Sequence, residues 1–287
     1  MKCLVAGLIF LVPAWGGETS CAVAEKESWS SLSRTALVKD DRGAIRQSFL
    51  IASGALPDCQ QNETLWYVLL RASELGFGMF PVQRSVTELK SFDDALRAAR
   101  ARFPKSARLA TIGARHTGSV EDSQEAVSLD PRYTPAQVEL AAAQLATGNS
   151  KAAVAILTEL RDLNRIAGAH VLLSRALLAN GDTKGAIDAA RQESLTDVLD
   201  PWEPGDDVNR DFHRDVTEAI GMAHLAADHY LAAARQLIDA ATDGSDSALT
   251  TLKSNPQLRT ALARLVKDGR LPASEVGLAN RLSRAGR

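Results

Sequence analysis

Residues 136–153 read AQVELAAAQLATGNSKAA and residues 169–186 read AHVLLSRALLANGDTKGA. At an offset of 33 residues, Ala136, Val138, Leu140, Ala143, Leu145, Ala146, Gly148, Lys151 and Ala153 recur as Ala169, Val171, Leu173, Ala176, Leu178, Ala179, Gly181, Lys184 and Ala186. Nine identities in eighteen positions mark an internal repeat. A unit of this length cannot bury its own apolar face and must stack on neighbours, so the period implies a solenoid.

Within each copy, Ala136, Leu140 and Ala143 lie at helical spacing. Gly148-Asn149 or Gly181-Asp182 then stops the helix with residues that accept a left-handed backbone. A second helix follows, carrying Ala153, Ile156, Leu157 and Leu160 in the first copy and Ala186, Ile187 and Ala190 in the second. Two antiparallel helices joined by a short turn are the expected unit. Small residues at Ala141 or Ser174 and at Ala153 or Ala186 let the two backbones come close.

These residues resemble the tetratricopeptide repeat (TPR), which has a small residue midway along its first helix, a Gly-Asp-like turn and an Ala five residues after the Gly. Leu140, Ala141, Gly148-Asn149 and Ala153 match it, as do Leu173, Ser174, Gly181-Asp182 and Ala186. The chain departs from it where an aromatic, a Tyr and a closing Pro are usual: Gln137 or His170, Gln144 or Leu177, and Arg165 or Val198 stand there. The fold expected is all-α: a right-handed superhelix of antiparallel helix pairs, a TPR-like α-solenoid with a helical C-terminal cap.

Working outward, residues 25–131 are expected to hold degenerate pairs. Ala44-Ile45 echoes Ala186-Ile187, Phe92 to Leu96 resembles the start of a second repeat helix, and Leu109, Ile112 and Gly118 outline a shortened unit. Residues 132–196 hold the two clear repeats. Residues 197–245 carry an acidic loop and a further pair, and 246–287 read as cap helices broken by Pro256 and Pro272.

The N-terminus has a different pattern. Lys2 precedes an apolar run from Leu4 to Trp15, followed by polar residues and Ala22-Val23-Ala24. That is the layout of a secretory signal peptide spanning residues 1–24, so a periplasmic or secreted location is expected. Cleavage after Ala24 leaves Cys59 as a single thiol, the reading preferred although spacing does not choose between the two cuts. Cleavage after Gly16, with Ala14 two residues before it, would leave Cys21 and Cys59 to pair.

A net charge of −2 and a pI of 6.2 give no pull toward nucleic acid or an anionic membrane. Arginine outnumbers lysine and alanine is abundant, a composition that suits helices and a GC-rich bacterial source. The partner expected is a protein or peptide, with no nucleic acid and no stable membrane insertion after leader removal.

One acidic stretch invites a metal reading. Asp207, Asn209, Asp211, Asp215 and Glu218 occupy the first, third, fifth, ninth and twelfth places of a calcium loop. Phe212 stands where glycine must make the sharp turn, so the acids are read instead as favouring the start of a helix, and no metal or other cofactor is expected. The five histidines are scattered, and neither a zinc motif nor a nucleophile motif nor a phosphate loop occurs, so no enzyme is expected.

The resemblance implies a concave groove lined by one face of each first helix. Carried onto this chain, the groove positions are Val138, Ala142, Leu145, Val171, Arg175 and Leu178. Arg175 is the only charge among them, so the resemblance implies a less charged ligand than a Lys and Asn carboxylate clamp takes. The function expected is an exported scaffold for a cell-envelope protein or peptide. The alternatives are an accessory subunit of an envelope enzyme and, more remotely, a cryptic enzyme or calcium binder.

Overall fold

The computed structural model describes residues 18–32, 42–74, 91–160, 163, 166, 168–195 and 212–284. Among them the regular elements are all helices: α1 (Glu18–Ser31), α2 (Arg42–Ala55), α3 (Glu63–Ala72), α4 (Phe92–Arg102), α5 (Ala107–Thr117), α6 (Val120–Leu129), α7 (Thr134–Ala146), α8 (Ser150–Glu159), α9 (Ala169–Ala179), α10 (Thr183–Leu195), α11 (Phe212–Ala226), α12 (Tyr230–Thr242), α13 (Asp246–Ser254), α14 (Pro256–Lys267) and α15 (Ala273–Arg284). Many starts are written in the sequence. The side chains of Asn62, Ser91, Ser106, Ser119, Ser245 and Asn255 each accept a hydrogen bond from a backbone N–H of the first turn they precede.

The turn inside each repeat is the same object. Gly148 and Gly181 are left-handed, with φ of 84° and 81°. The residue after each sends its N–H back to the carbonyl five residues earlier, Asn149 to Gln144 at 2.8 Å and Asp182 to Leu177 at 3.0 Å. The α11–α12 turn repeats this bond between His229 and Gln144's counterpart, His224, at 2.9 Å, with Asp228 in the left-handed place at φ 57°. Asp228 tolerates that conformation as few side chains do.

Residues 212–242 are therefore a further unit, displaced by 47 residues from 169–195. Ser174, Gly181 and Ala186 become Gly221, Asp228 and Ala233. Thirty residues upstream of the first clear copy, Ala141, Gly148 and Ala153 become Thr111, Gly118 and Ser123. The small residues of all four units are buried. Thr111, Ser123, Ala141, Ala153, Ser174, Ala186 and Ala233 are at most 2% exposed, and Gly221 is buried with them. In one pair the closeness is directly visible, because the Ser174 hydroxyl donates to the Ala186 carbonyl at 2.7 Å.

Packing runs along the chain rather than around one centre. Local apolar clusters follow one another: α1 to α5, α7 to α10, and α12 to α15, with smaller ones at the joins. First helices lie beside first helices, α1 by α3, then α3, α5, α7, α9 and α11 in order, while the second helices of successive pairs stand further apart. A stack with that asymmetry curves with its first helices inside. At the far end α13, α14 and α15 cover α12, and Arg235 on α12 meets the buried Glu275 of α15 at 3.0 Å. Burial raises the Glu275 pKa, and Arg235 opposes that shift.

The N-terminal cysteines correct the sequence reading. Cys21 of α1 and Cys59, in the turn before α3, form a disulfide, so Cys59 is not a single thiol. They were separable from the sequence only by knowing where a leader ends.

Two glycines give opposite expectations for one substitution. A Cβ on Gly221 would lie 2.7 Å from Leu237 Cγ and 3.2 Å from the Leu237 backbone nitrogen, whereas on Gly54 of α2 it meets nothing within 4 Å. Gly221→Ala is expected to destabilise by about 1–3 kcal/mol through overpacking. Gly54→Ala is expected to stabilise by roughly 0.5–1 kcal/mol. Thermal unfolding of both variants checks the contrast in sign.

Candidate functional site

The inner row of first helices begins at a cleft of about 440 Å³ lined by Ala22, Glu25, Lys26 and Trp29 of α1, Thr64 of α3 and Arg108 of α5. Helical spacing puts Ala22, Glu25, Lys26 and Trp29 on one face. Trp29 and Tyr67 stand with ring centroids 5.9 Å apart, and the Arg108 guanidinium lies 5.5 Å from one ring and 5.6 Å from the other. A cation over two aromatic faces is held by their quadrupoles. Tyr67 is fully buried, and its hydroxyl finds no hydrogen-bond partner among the described residues. A second cleft, of about 530 Å³, shares Ala22 and Glu25 with the first and runs past the disulfide to Arg102.

Further along the row, charges replace aromatics. The carboxylate of Glu74, just past the end of α3, accepts from Arg71 at 2.9 Å and from Arg115 of α5 at 3.2 Å. Arg115 donates its Nε to Glu139 of α7 at 2.7 Å. Burial, helped by the neighbouring Arg115, holds the Arg71 pKa below the usual arginine range, against the pull of Glu74. Burial also disfavours the charge on Arg115, but Glu139 and Glu74 outweigh it and raise its pKa. Two cations and two anions thus run across three first helices and cross-link the inner row. No spacing rule links Glu74 to Arg115 or Arg115 to Glu139, so the sequence alone did not reveal them.

The expected groove residues divide. Val138, Ala142 and Leu145 on α7 are half-buried, with Val138 and Leu145 resting on the cluster between α7 and α10. Arg175 on α9 is exposed. Leu178 is half-buried against Ala186, Ile187 and Ala223. Val171 is 4% exposed and packs with Ala190, Val216 and Ala219, so it joins two helix pairs and does not line open surface. The register put Val171 on the same face as Arg175, but α11 closes over the N-terminal end of α9.

Glu193 is a further residue the sequence reading missed. It reaches from α10 to the start of α9, where its carboxylate accepts from the N–H groups of Gly168, His170 and Val171 at 3.0, 2.7 and 3.1 Å. Burial raises its pKa more than these three donors lower it. A carboxylate at a helix N-terminus meets unpaired donors and the positive end of the dipole. Here it fixes the helix that carries Arg175. Leu160 occupies the same place one unit earlier, so no repeat signal marked it.

Of the suggested calcium loop, residues 207–211 lie outside the described residues, and Glu218 accepts the Ser245 hydroxyl at 2.6 Å. The His224 and His229 rings face each other with Nδ1 atoms 3.3 Å apart, and burial lowers the His224 pKa, with Arg191 and His229 adding to the effect. Among the described residues no group of three or more His, Cys, Asp or Glu is placed to hold a metal ion, and no helix is long and apolar enough to cross a membrane.

No protein-family model matches the chain, and no curated protein matches it. Among solved structures, 93% of the chain aligns with 60% of a chain in the crystal structure of the APC/C hetero-tetramer Cut9-Hcn1, at 13% identity and a TM-score of 0.37. In the structure of Naa15/Naa10 bound to HypK-THB, 92% of the chain aligns with 47% of a chain, at 17% identity and a TM-score of 0.31. The chain thus spans less than two thirds of the length of either neighbour. At that distance the fold rests on its own helices and repeats.

Removing the shared carboxylate tests the inner-row network. Glu74→Ala deprives the buried Arg71 and the half-buried Arg115 of one partner and is expected to cost roughly 3 kcal/mol, less than a fully enclosed pair would lose because Arg115 keeps some water. Glu74→Gln should recover part of that loss by keeping an acceptor oxygen. Chemical denaturation of the two variants measures both.

Proposed function

We propose that this chain is an exported TPR-like scaffold that holds a protein or peptide of the cell envelope along its inner row of first helices, with no chemistry of its own. The observation that carries the proposal is the composition of that row. It begins at an open cleft with Trp29 and Arg108, passes a self-neutralised charge network and ends on the half-buried Val138, Ala142 and Leu145 of α7 and the exposed Arg175 of the neighbouring α9. An aromatic, a planar cation and short aliphatic side chains together suit an extended chain, whose carbonyls or carboxylates a guanidinium fork binds. Arg71, Glu74, Arg115 and Glu139 satisfy one another, so their contribution is to hold α3, α5 and α7 in order beneath the ligand.

Glu193 and the α9–α10 turn support the same reading by fixing the direction of α9. A binding surface built on packed helices needs no adjustment when the partner arrives, which limits the ordering cost of association.

Site-specific photo-crosslinking in the native host tests the proposal. A crosslinker at position 142 or 175 should trap the same partner, one at the exposed Thr158 of α8 on the outer row should not, and Arg175→Glu should weaken the adduct from 142 at least several-fold. Equal trapping from 158, or an adduct indifferent to Arg175→Glu, would place the partner elsewhere.

A further inference from the structure

We infer that the leader is cut between Gly16 and Gly17, upstream of α1, so that the exported chain keeps Cys21 and closes the disulfide to Cys59. This rests on the export reading above and goes beyond it by assigning the processing site.

The A-x-A stretch that offers a cleavage signal, Ala22-Val23-Ala24, lies inside α1. Ala24 is 2% exposed and belongs to the N-terminal core, together with Leu32, Ile45 and Phe49. Ser20 is buried one residue before the half-buried Cys21, and Cys21 is bonded to Cys59. Directly after Ala24, the Glu25 carboxylate accepts from Asn62 Nδ2 at 2.7 Å, and Asn62 also caps α3 through its Oδ1. A cut after Ala24 would remove half of α1 and one half of the disulfide. It would leave a buried thiol at Cys59 and a charged ammonium on Glu25, in the wall of both clefts.

The earlier bond has none of these costs. Ala14 and Gly16 supply small residues at the third and first places before it, at the end of the apolar run from Leu4 to Trp15. Hydrolysis there adds water across the peptide bond, with the hydroxyl going to the Gly16 carbonyl carbon and the proton to the Gly17 nitrogen. Cys3 leaves with the leader, and the two remaining cysteines form an even pair. Their thiols give two protons and two electrons to an oxidised protein dithiol of the receiving compartment, by exchange through a mixed disulfide. Completion of the N-terminal helix pair is thereby tied to arrival in an oxidising space.

The test uses the full 287-residue chain expressed in a bacterium that has a periplasm. N-terminal sequencing and intact mass of the exported protein should give a start at Gly17 and the mass of residues 17–287 less two hydrogens. No thiol should alkylate before reduction, and two should alkylate after it. Ala22→Arg, at an exposed position of α1, removes the small residue needed for a cut after Ala24 and should leave processing unchanged. Gly16→Arg should abolish it. An exported protein that starts at Glu25 with one alkylatable thiol overturns this inference and leaves the export reading standing, as does processing blocked by Ala22→Arg and not by Gly16→Arg. Recovery of an intact Met1 start from the cytosol overturns the export reading and this inference with it.

Discussion

The rest of the structure depends on how closely the two helices of each pair approach. In residues 169–195 the Ser174 hydroxyl reaches the Ala186 backbone carbonyl, a contact across helices that larger side chains would prevent. Ala141 with Ala153, Gly221 with Ala233 and Thr111 with Ser123 hold the same places in their own units, all buried. Small residues at these points let the left-handed turn close in two or three residues, and the turn fixes the second helix antiparallel to the first. The pair so formed has a broad apolar flank and must be covered by the next pair.

Curvature and the binding row follow from that stacking. First helices meet first helices while second helices spread, so one side of the stack gathers side chains from α1, α3, α5, α7 and α9. Residues far apart in sequence become neighbours there: Trp29 and Arg108 at one end, Glu74 and Arg115, then Arg115 and Glu139. The ion network is weak evidence of stability in itself, because desolvation cancels much of its attraction. What it adds is order, since Arg115 of α5 finds both Glu74 and Glu139 only when α3, α5 and α7 stand in one register.

The local grammar was readable from residues alone. The period of 33, the Gly turns, the small crossing residues and the cap serines are all properties of short segments, and they produced the helix pairs. Three things were not readable, each for a physical reason. The unit at 212–242 was only partly recognised because Asp228 adopts the backbone conformation that Gly148 and Gly181 adopt, and because 14 extra residues precede it. Val171 was placed on the groove because helical register fixes a face but not which neighbour closes over its end. The Cys21–Cys59 bond was left open because its existence turns on where a chain is cut, and local sequence offers two plausible bonds.

Amide hydrogen exchange on Ala186→Leu, compared with the native chain, tests the central claim most directly. If close approach at the small residues holds each pair together, the added side chain has no space beside Ser174. The variant should then lose about 1–3 kcal/mol of protection along α9 and α10. Helices α13 to α15, beyond the intervening α11–α12 pair, should exchange as before. Native protection throughout α9 and α10 in Ala186→Leu would contradict the account.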